Sequence, residues 1–105
     1  MFLIVLVCSV WAGNAERGRA IYGSNCVACH GKSGDGKGPA AQAMRPAPTD
    51  FTAADWWKEK SDEQIAAMIK NGRAGTPMVA FSKLSEEELD DLVAYMKKLS
   101  KDAVR

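Results

Sequence analysis

The sequence predicts an all-α fold from three observations. Ser61 with Gln64, and Ser85 with Glu88, each form a Ser-x-x-Gln/Glu box at the head of an apolar stripe, the pattern of a capped helix start. Leu89, Leu92, Val93, Met96 and Leu99 recur with helical spacing and define one buried helix face. No segment shows the apolar/polar alternation that marks a half-buried strand.

The elements follow in chain order. The first fifteen residues carry no charged side chain, and residues 2–12 form an uninterrupted run of apolar and small residues. Gly13-Asn14-Ala15 then supplies small residues around a cleavable bond, and charge begins at Glu16. Residues 1–15 therefore read as a secretory signal peptide cut after Ala15, leaving residues 16–105 as one exported domain in the periplasm. The run is shorter than the roughly 20 residues of a membrane-spanning helix. Cys8 leaves with the leader, and bulky Val7 before it argues against a lipid-attachment site.

A first helix is expected over residues 16–25, with Gly18 and Tyr22 on one face. Glycine inside a helix costs about 1 kcal/mol relative to alanine, so a closely packed partner is expected there. Residues 31–39 (GKSGDGKGP) form a glycine-rich loop. A short helical turn follows Pro39 and is stopped by Pro46 and Pro48. A second short helix over residues 52–60 carries Trp56 and Trp57. The helix opened by Ser61 presents Ile65, Met68 and Ile69 and stops at Gly72. A loop with Gly75, Thr76, Pro77 and Met78 leads to the last helix. There, acids at 86–88 and lysines at 97, 98 and 101 complement the helix dipole.

Net charge is +1, from 14 basic and 13 acidic side chains. Nothing in that balance supports nucleic-acid binding, which calls for a basic face and a high pI. The chemistry sits in Cys26-Val27-Ala28-Cys29-His30, the C-x-x-C-H pattern of covalent haem attachment. Two thiols three positions apart can add to the two vinyl groups of one porphyrin, and the next residue then offers imidazole to the iron. Other uses of the motif fail on inventory. Without Cys8, the chain has two cysteines and a single histidine, too few for a four-ligand zinc site. No strand precedes Cys26, as a thioredoxin-like dithiol requires. Gly31 to Lys37 mimics a phosphate-binding loop, but Gly38 stands where Ser or Thr is needed and a haem motif stands where a strand is needed.

One histidine rules out two imidazole ligands from this chain, and methionine is the usual alternative in electron carriers. Met68 and Met96 belong to apolar stripes and are expected in the core. Met78, in a loop after a proline, is the expected sixth ligand, with Met44 the competing candidate.

With Cys26 to His30, Gly38-Pro39, Thr76-Pro77-Met78 and the LVAYMKK run at residues 92–98, the chain resembles the class I c-type cytochromes over nearly all of residues 16–105. The resemblance implies the class I cytochrome c fold, with N- and C-terminal helices crossing beside one covalently bound haem c. It implies that Gly18 and Tyr22 meet Leu92 and Tyr95 at that crossing. It further implies that the Pro39 carbonyl accepts the second ring N–H of His30. Trp56 or Trp57 then either donates an indole N–H to a haem propionate or packs on the haem. The implied function is non-enzymatic: single-electron transfer through brief docking with redox protein donors and acceptors. Two alternatives are a haem-bearing subunit of a larger periplasmic oxidoreductase and a ligand sensor with a labile Met78 bond. Lys32, Lys37, Lys70, Arg73 and Lys83 flank the two haem loops as a candidate basic docking rim.

Overall fold

The computed structural model describes residues 13–103; residues 1–12, the body of the expected leader, lie outside the described residues. The described residues form five α-helices and one short 3₁₀ turn, with no strand among them. The helices are α1 (Ala15–Asn25), α2 (Val27–His30), α3 (Ala54–Glu59), α4 (Asp62–Asn71) and α5 (Glu86–Ala103), with the 3₁₀ turn at Ala41–Ala43. The all-helical expectation and the class I arrangement both hold.

Capping sets the helix starts. In α4 the Ser61 hydroxyl accepts the Gln64 N–H at 3.1 Å, and the Gln64 side chain accepts the Ser61 N–H at 2.8 Å. Ser85 and Glu88 repeat the exchange at 3.0 and 2.9 Å ahead of α5. Each box satisfies two backbone donors that the first helical turn leaves unpaired. Helix α1 is capped by Asn14, whose side-chain oxygen accepts the Arg17 N–H at 3.0 Å. The domain boundary expected after Ala15 therefore falls within the first turn of α1.

The core is one cluster of Tyr22, Phe51, Ile65, Ile69, Leu89, Leu92, Val93, Met96 and Leu99. Its spine is the packing of α1 across α5, with α4 lying along the other side of α5. The crossing is close because Gly18 has no side chain. A Cβ there would overlap the Asp91 carbonyl and stand 2.9 Å from the Tyr95 Cβ. One helical turn on, the Tyr22 and Tyr95 rings meet at 5.3 Å and 56°, a tilted geometry favoured by ring quadrupoles. Gly18, Tyr22 and Tyr95 thus meet as the resemblance implied, with Leu92 buried in the same cluster. Met96 is buried in the core and Met68 packs against it, so both stripe methionines are structural.

Asp91 is a buried carboxylate at this crossing, 3% exposed. It accepts Arg17 Nε at 2.9 Å and the Asn14 backbone N–H at 2.6 Å. Burial alone would raise its pKa, but these bonds and the Arg17 charge outweigh burial and hold it below the usual carboxylate range. On the open face, Lys97 pairs with Asp62 at 2.7 Å, linking α5 to the start of α4.

Candidate haem site

Helix α2 is a single turn that follows α1 after a break at Cys26. Cys26 and Cys29 lie three apart and His30 four from Cys26, so one face of this turn carries all three. So short a helix leaves its C-terminal carbonyls unpaired unless something else serves them. The glycine-rich loop does so: Gly36, Gly38 and Ala40 donate backbone N–H to the carbonyls of His30, Cys29 and Ala28 at 2.8, 3.0 and 2.8 Å. Gly38 comes so near that a Cβ would overlap the Val27 and Ala28 backbone. The loop that resembled a phosphate cradle is the clasp of the C-x-x-C-H turn.

His30 Nδ1 lies 3.1 Å from the Thr49 carbonyl oxygen. A carbonyl can only accept, so Nδ1 carries the proton and Nε2 keeps its lone pair free for a metal. Burial lowers the His30 pKa while the Thr49 bond opposes that shift, so the ring is neutral at neutral pH. Phe51 stacks on the imidazole at 4.5 Å and 23° and fixes its plane. Cys26 and Cys29 are not joined to each other in a disulfide. Burial, aided by Cys29, pushes the Cys26 thiol up to about 11.

Across from this turn is the methionine loop. It is held by its own bonds: Arg73 N–H to the Met78 carbonyl at 3.3 Å, Thr76 Oγ1 to the Arg73 carbonyl at 2.8 Å, and Met78 N–H to Thr76 Oγ1 at 3.2 Å. Phe81 N–H ties its far end to Ile69 of α4 at 3.0 Å. Between loop and turn lies a cleft of about 130 Å³, open to solvent on one side, lined by Cys26, Cys29, His30 and Met78. Met44, Pro46, Pro48, Pro77 and Phe81 supply much of its apolar wall. Arg73, Thr76 and Asn25 are polar residues on that lining.

Cys26, Cys29, His30 and Met78 thus share one cavity, and Met44 reaches it too. Pro39 and the two tryptophans lie elsewhere than expected. Pro39 is exposed and off the cavity, and the acceptor for His30 is Thr49. The physical reason is the clasp: the segment carrying Pro39 is bonded to the back of α2, while the chain after Pro48 passes beside the ring. Trp56 and Trp57 also lie off the cavity lining. The Trp57 N–H is already donated to the Phe51 carbonyl at 2.8 Å. Trp56 packs on Phe51 at 5.2 Å and edge-on to Trp57 at 5.0 Å, with the Lys60 ammonium 5.6 Å from its ring. Sequence reasoning missed Thr49 and Phe51. A backbone acceptor leaves no mark in residue type, and Phe51 carries no periodic pattern because it lies in a turn.

Among the described residues, no group of three or more His, Cys, Asp or Glu is arranged to hold a metal ion. What the cavity offers is two thiols and an imidazole on one wall, a thioether on another, and apolar surface between. That donor set fits a planar iron cofactor fixed through sulfur and ligated through nitrogen.

The comparisons agree. Residues 15–100 match the family model described as cytochrome c, and the chain belongs to the cytochrome c family, whose cofactor is covalently bound haem c and whose role is electron transfer. It is 33% identical over 89 residues to the cbb3-type cytochrome c oxidase subunit CcoP of Azospirillum brasilense, covering 84% of this chain and 29% of that protein. Cytochrome c6 of Cyanidioschyzon merolae is 27% identical over 94 residues, covering 89% of this chain and 82% of the relative. Among solved structures, the KustC0563 c-type cytochrome superposes with a TM-score of 0.65 at 30% identity, covering 78% of this chain and 95% of that one. The chain therefore spans under a third of the CcoP relative but most of the two small cytochromes.

Proposed function

We propose that the chain is a single-electron carrier of the periplasm, its one haem c bonded through Cys26 and Cys29 and ligated by His30 and Met78. The observation that carries this reading is the shared cavity, in which a loop methionine outside every core stripe faces the same space as the C-x-x-C-H turn. The bound group supplies a one-electron change at iron. The chain's own residues do the rest. Thr49 holds the His30 proton at Nδ1 and so raises the basicity of Nε2. The self-bonded loop presents the Met78 thioether, which favours the ferrous state relative to a second imidazole. The apolar walls exclude water and favour the form of lower charge. With His30 and Met78 both holding the group, no open position would remain for oxygen or peroxide, and the role would be transfer rather than catalysis. Partners are redox proteins that dock briefly at the cavity mouth, where Arg73 contributes positive charge.

The likeness to CcoP favours a second reading, a haem-bearing unit within a larger oxidoreductase. Co-purification of the native protein with stable partners distinguishes the two.

Met78→Ala tests the ligand assignment. Haem should stay attached, the long-wavelength band associated with methionine–ferric bonding should vanish, the potential should fall, and carbon monoxide should bind the reduced protein readily. Met44→Ala should leave the band in place. The reverse pattern assigns the sixth position to Met44.

A further inference from the structure

We infer that the export leader is cut between Ala12 and Gly13, three residues earlier than the sequence pattern places it, so that Gly13 opens the working chain. The inference rests on the reading of residues 1–12 as a leader. It is carried by what residues 13 and 14 do in the folded domain.

Asn14 is the N-cap of α1, and its side-chain oxygen, backbone carbonyl and backbone N–H are all used. Its side chain accepts the Arg17 N–H at 3.0 Å, its carbonyl accepts the Gly18 N–H at 3.0 Å, and its own N–H donates to Asp91 Oδ1 at 2.6 Å. Asp91 is a buried carboxylate on the last helix, and that N–H is one of the donors that keep it ionised. Gly13 lies against the same helix, where a Cβ would overlap the Asp90 carbonyl and stand 2.6 Å from the Asp91 nitrogen. Only a glycine fits so near another backbone. Two successive residues are therefore shaped to the far end of the chain.

A cut after Ala15 discards both. It removes the cap, strips a donor from Asp91, and sets a new ammonium on Glu16 at the N-terminus of α1, where the helix dipole disfavours positive charge. A cut after Ala12 keeps every one of these bonds and places the new ammonium outside the helix. The sequence permits it: Ala12 is small at the bond, compact Val10 stands two before it, and the apolar run ends there. The step is hydrolysis by a membrane-bound leader peptidase. Water adds across the Ala12–Gly13 amide, giving a carboxyl on Ala12 and an amine on Gly13.

The test expresses the full chain with its own leader in a host that exports and attaches haem, then reads intact mass and N-terminal sequence. A mass of residues 13–105 plus one haem, opening Gly-Asn-Ala-Glu, is expected. A chain opening at Glu16 overturns the assignment and leaves export standing, whereas a chain that keeps Met1 overturns both. As a second measurement, a foreign leader is joined directly to Gly13 or to Glu16. The shorter holoprotein should melt several degrees lower, and equal midpoints would remove the structural reason for the boundary.

Discussion

Gly18→Ala and Gly23→Ala make the same change on the same helix, five residues apart, and should act in opposite directions. At Gly18 the new methyl would overlap the Asp91 carbonyl oxygen, lie 2.6 Å from its carbon and 2.9 Å from the Tyr95 Cβ. The first two atoms are backbone of α5 and cannot rotate away, so the helices must part. Overpacking costs about 1–3 kcal/mol, and a rigid backbone obstacle places this site near 3. Replacing glycine by alanine in a helix returns about 1 kcal/mol, leaving a net loss of about 2. At Gly23 nothing lies within 4 Å of the added Cβ, so only the gain of about 1 kcal/mol remains. For a domain of this size each kcal/mol moves the melting midpoint by about 4–8 °C. The holoproteins should therefore bracket the wild type, Gly18→Ala roughly 8–16 °C below it and Gly23→Ala roughly 4–8 °C above, when melting is followed by far-ultraviolet circular dichroism. If Gly18→Ala melts with or above the wild type, the close α1–α5 crossing is refuted.

Tyr22→Phe removes a buried hydroxyl that donates to the Gly31 carbonyl at 2.6 Å. Gly34 N–H also serves that carbonyl at 3.1 Å, so the loss should be about 1 kcal/mol by denaturant titration, with the visible spectrum little changed. Asp91 has a depressed folded pKa, so its ionised bonds stabilise the fold above the unfolded carboxylate value of about 3.9 and cease to do so as pH falls through the folded value. Asp91→Asn should accordingly be less stable than wild type at pH 7, with the gap closing under acid. A constant gap from pH 7 down through the folded pKa would show that the charge is not what matters. Electron-transfer rates with an acidic partner should fall as salt rises if Arg73, on the cavity lining, helps steer docking, and Arg73→Gln should flatten that dependence.

The helices were legible because their causes are local. Ser61–Gln64 and Ser85–Glu88 act within one turn, and the α5 stripe from Leu89 to Leu99 follows from periodicity alone. The C-x-x-C-H turn was legible for the same reason, since five consecutive residues carry the whole pattern. Its partners across the cavity were only partly so. Met78 could be selected by asking which methionine lay outside a core stripe, yet Met44 also lines the cavity, and that is a property of how the segment after the 3₁₀ turn folds back.

Other features depended on distances between remote backbones. That Thr49 rather than Pro39 holds the His30 proton follows from which stretch of loop clasps α2, and any residue there offers the same carbonyl. The tryptophans look alike in sequence, but Trp57 spends its N–H on Phe51 while Trp56 packs among aromatic rings. Asn14 reads as an ordinary polar residue in a cleavage region until Asp91, 77 positions away, is folded against it. By itself the sequence determined the helical class, the haem attachment and a short set of axial candidates, because residue type and near-neighbour spacing carry that information. The tertiary structure decided which backbone atoms orient the imidazole, why Gly18 must be bare and how Gly13 and Asn14 are held against α5, because those depend on close approach between segments whose separation along the chain leaves no local trace.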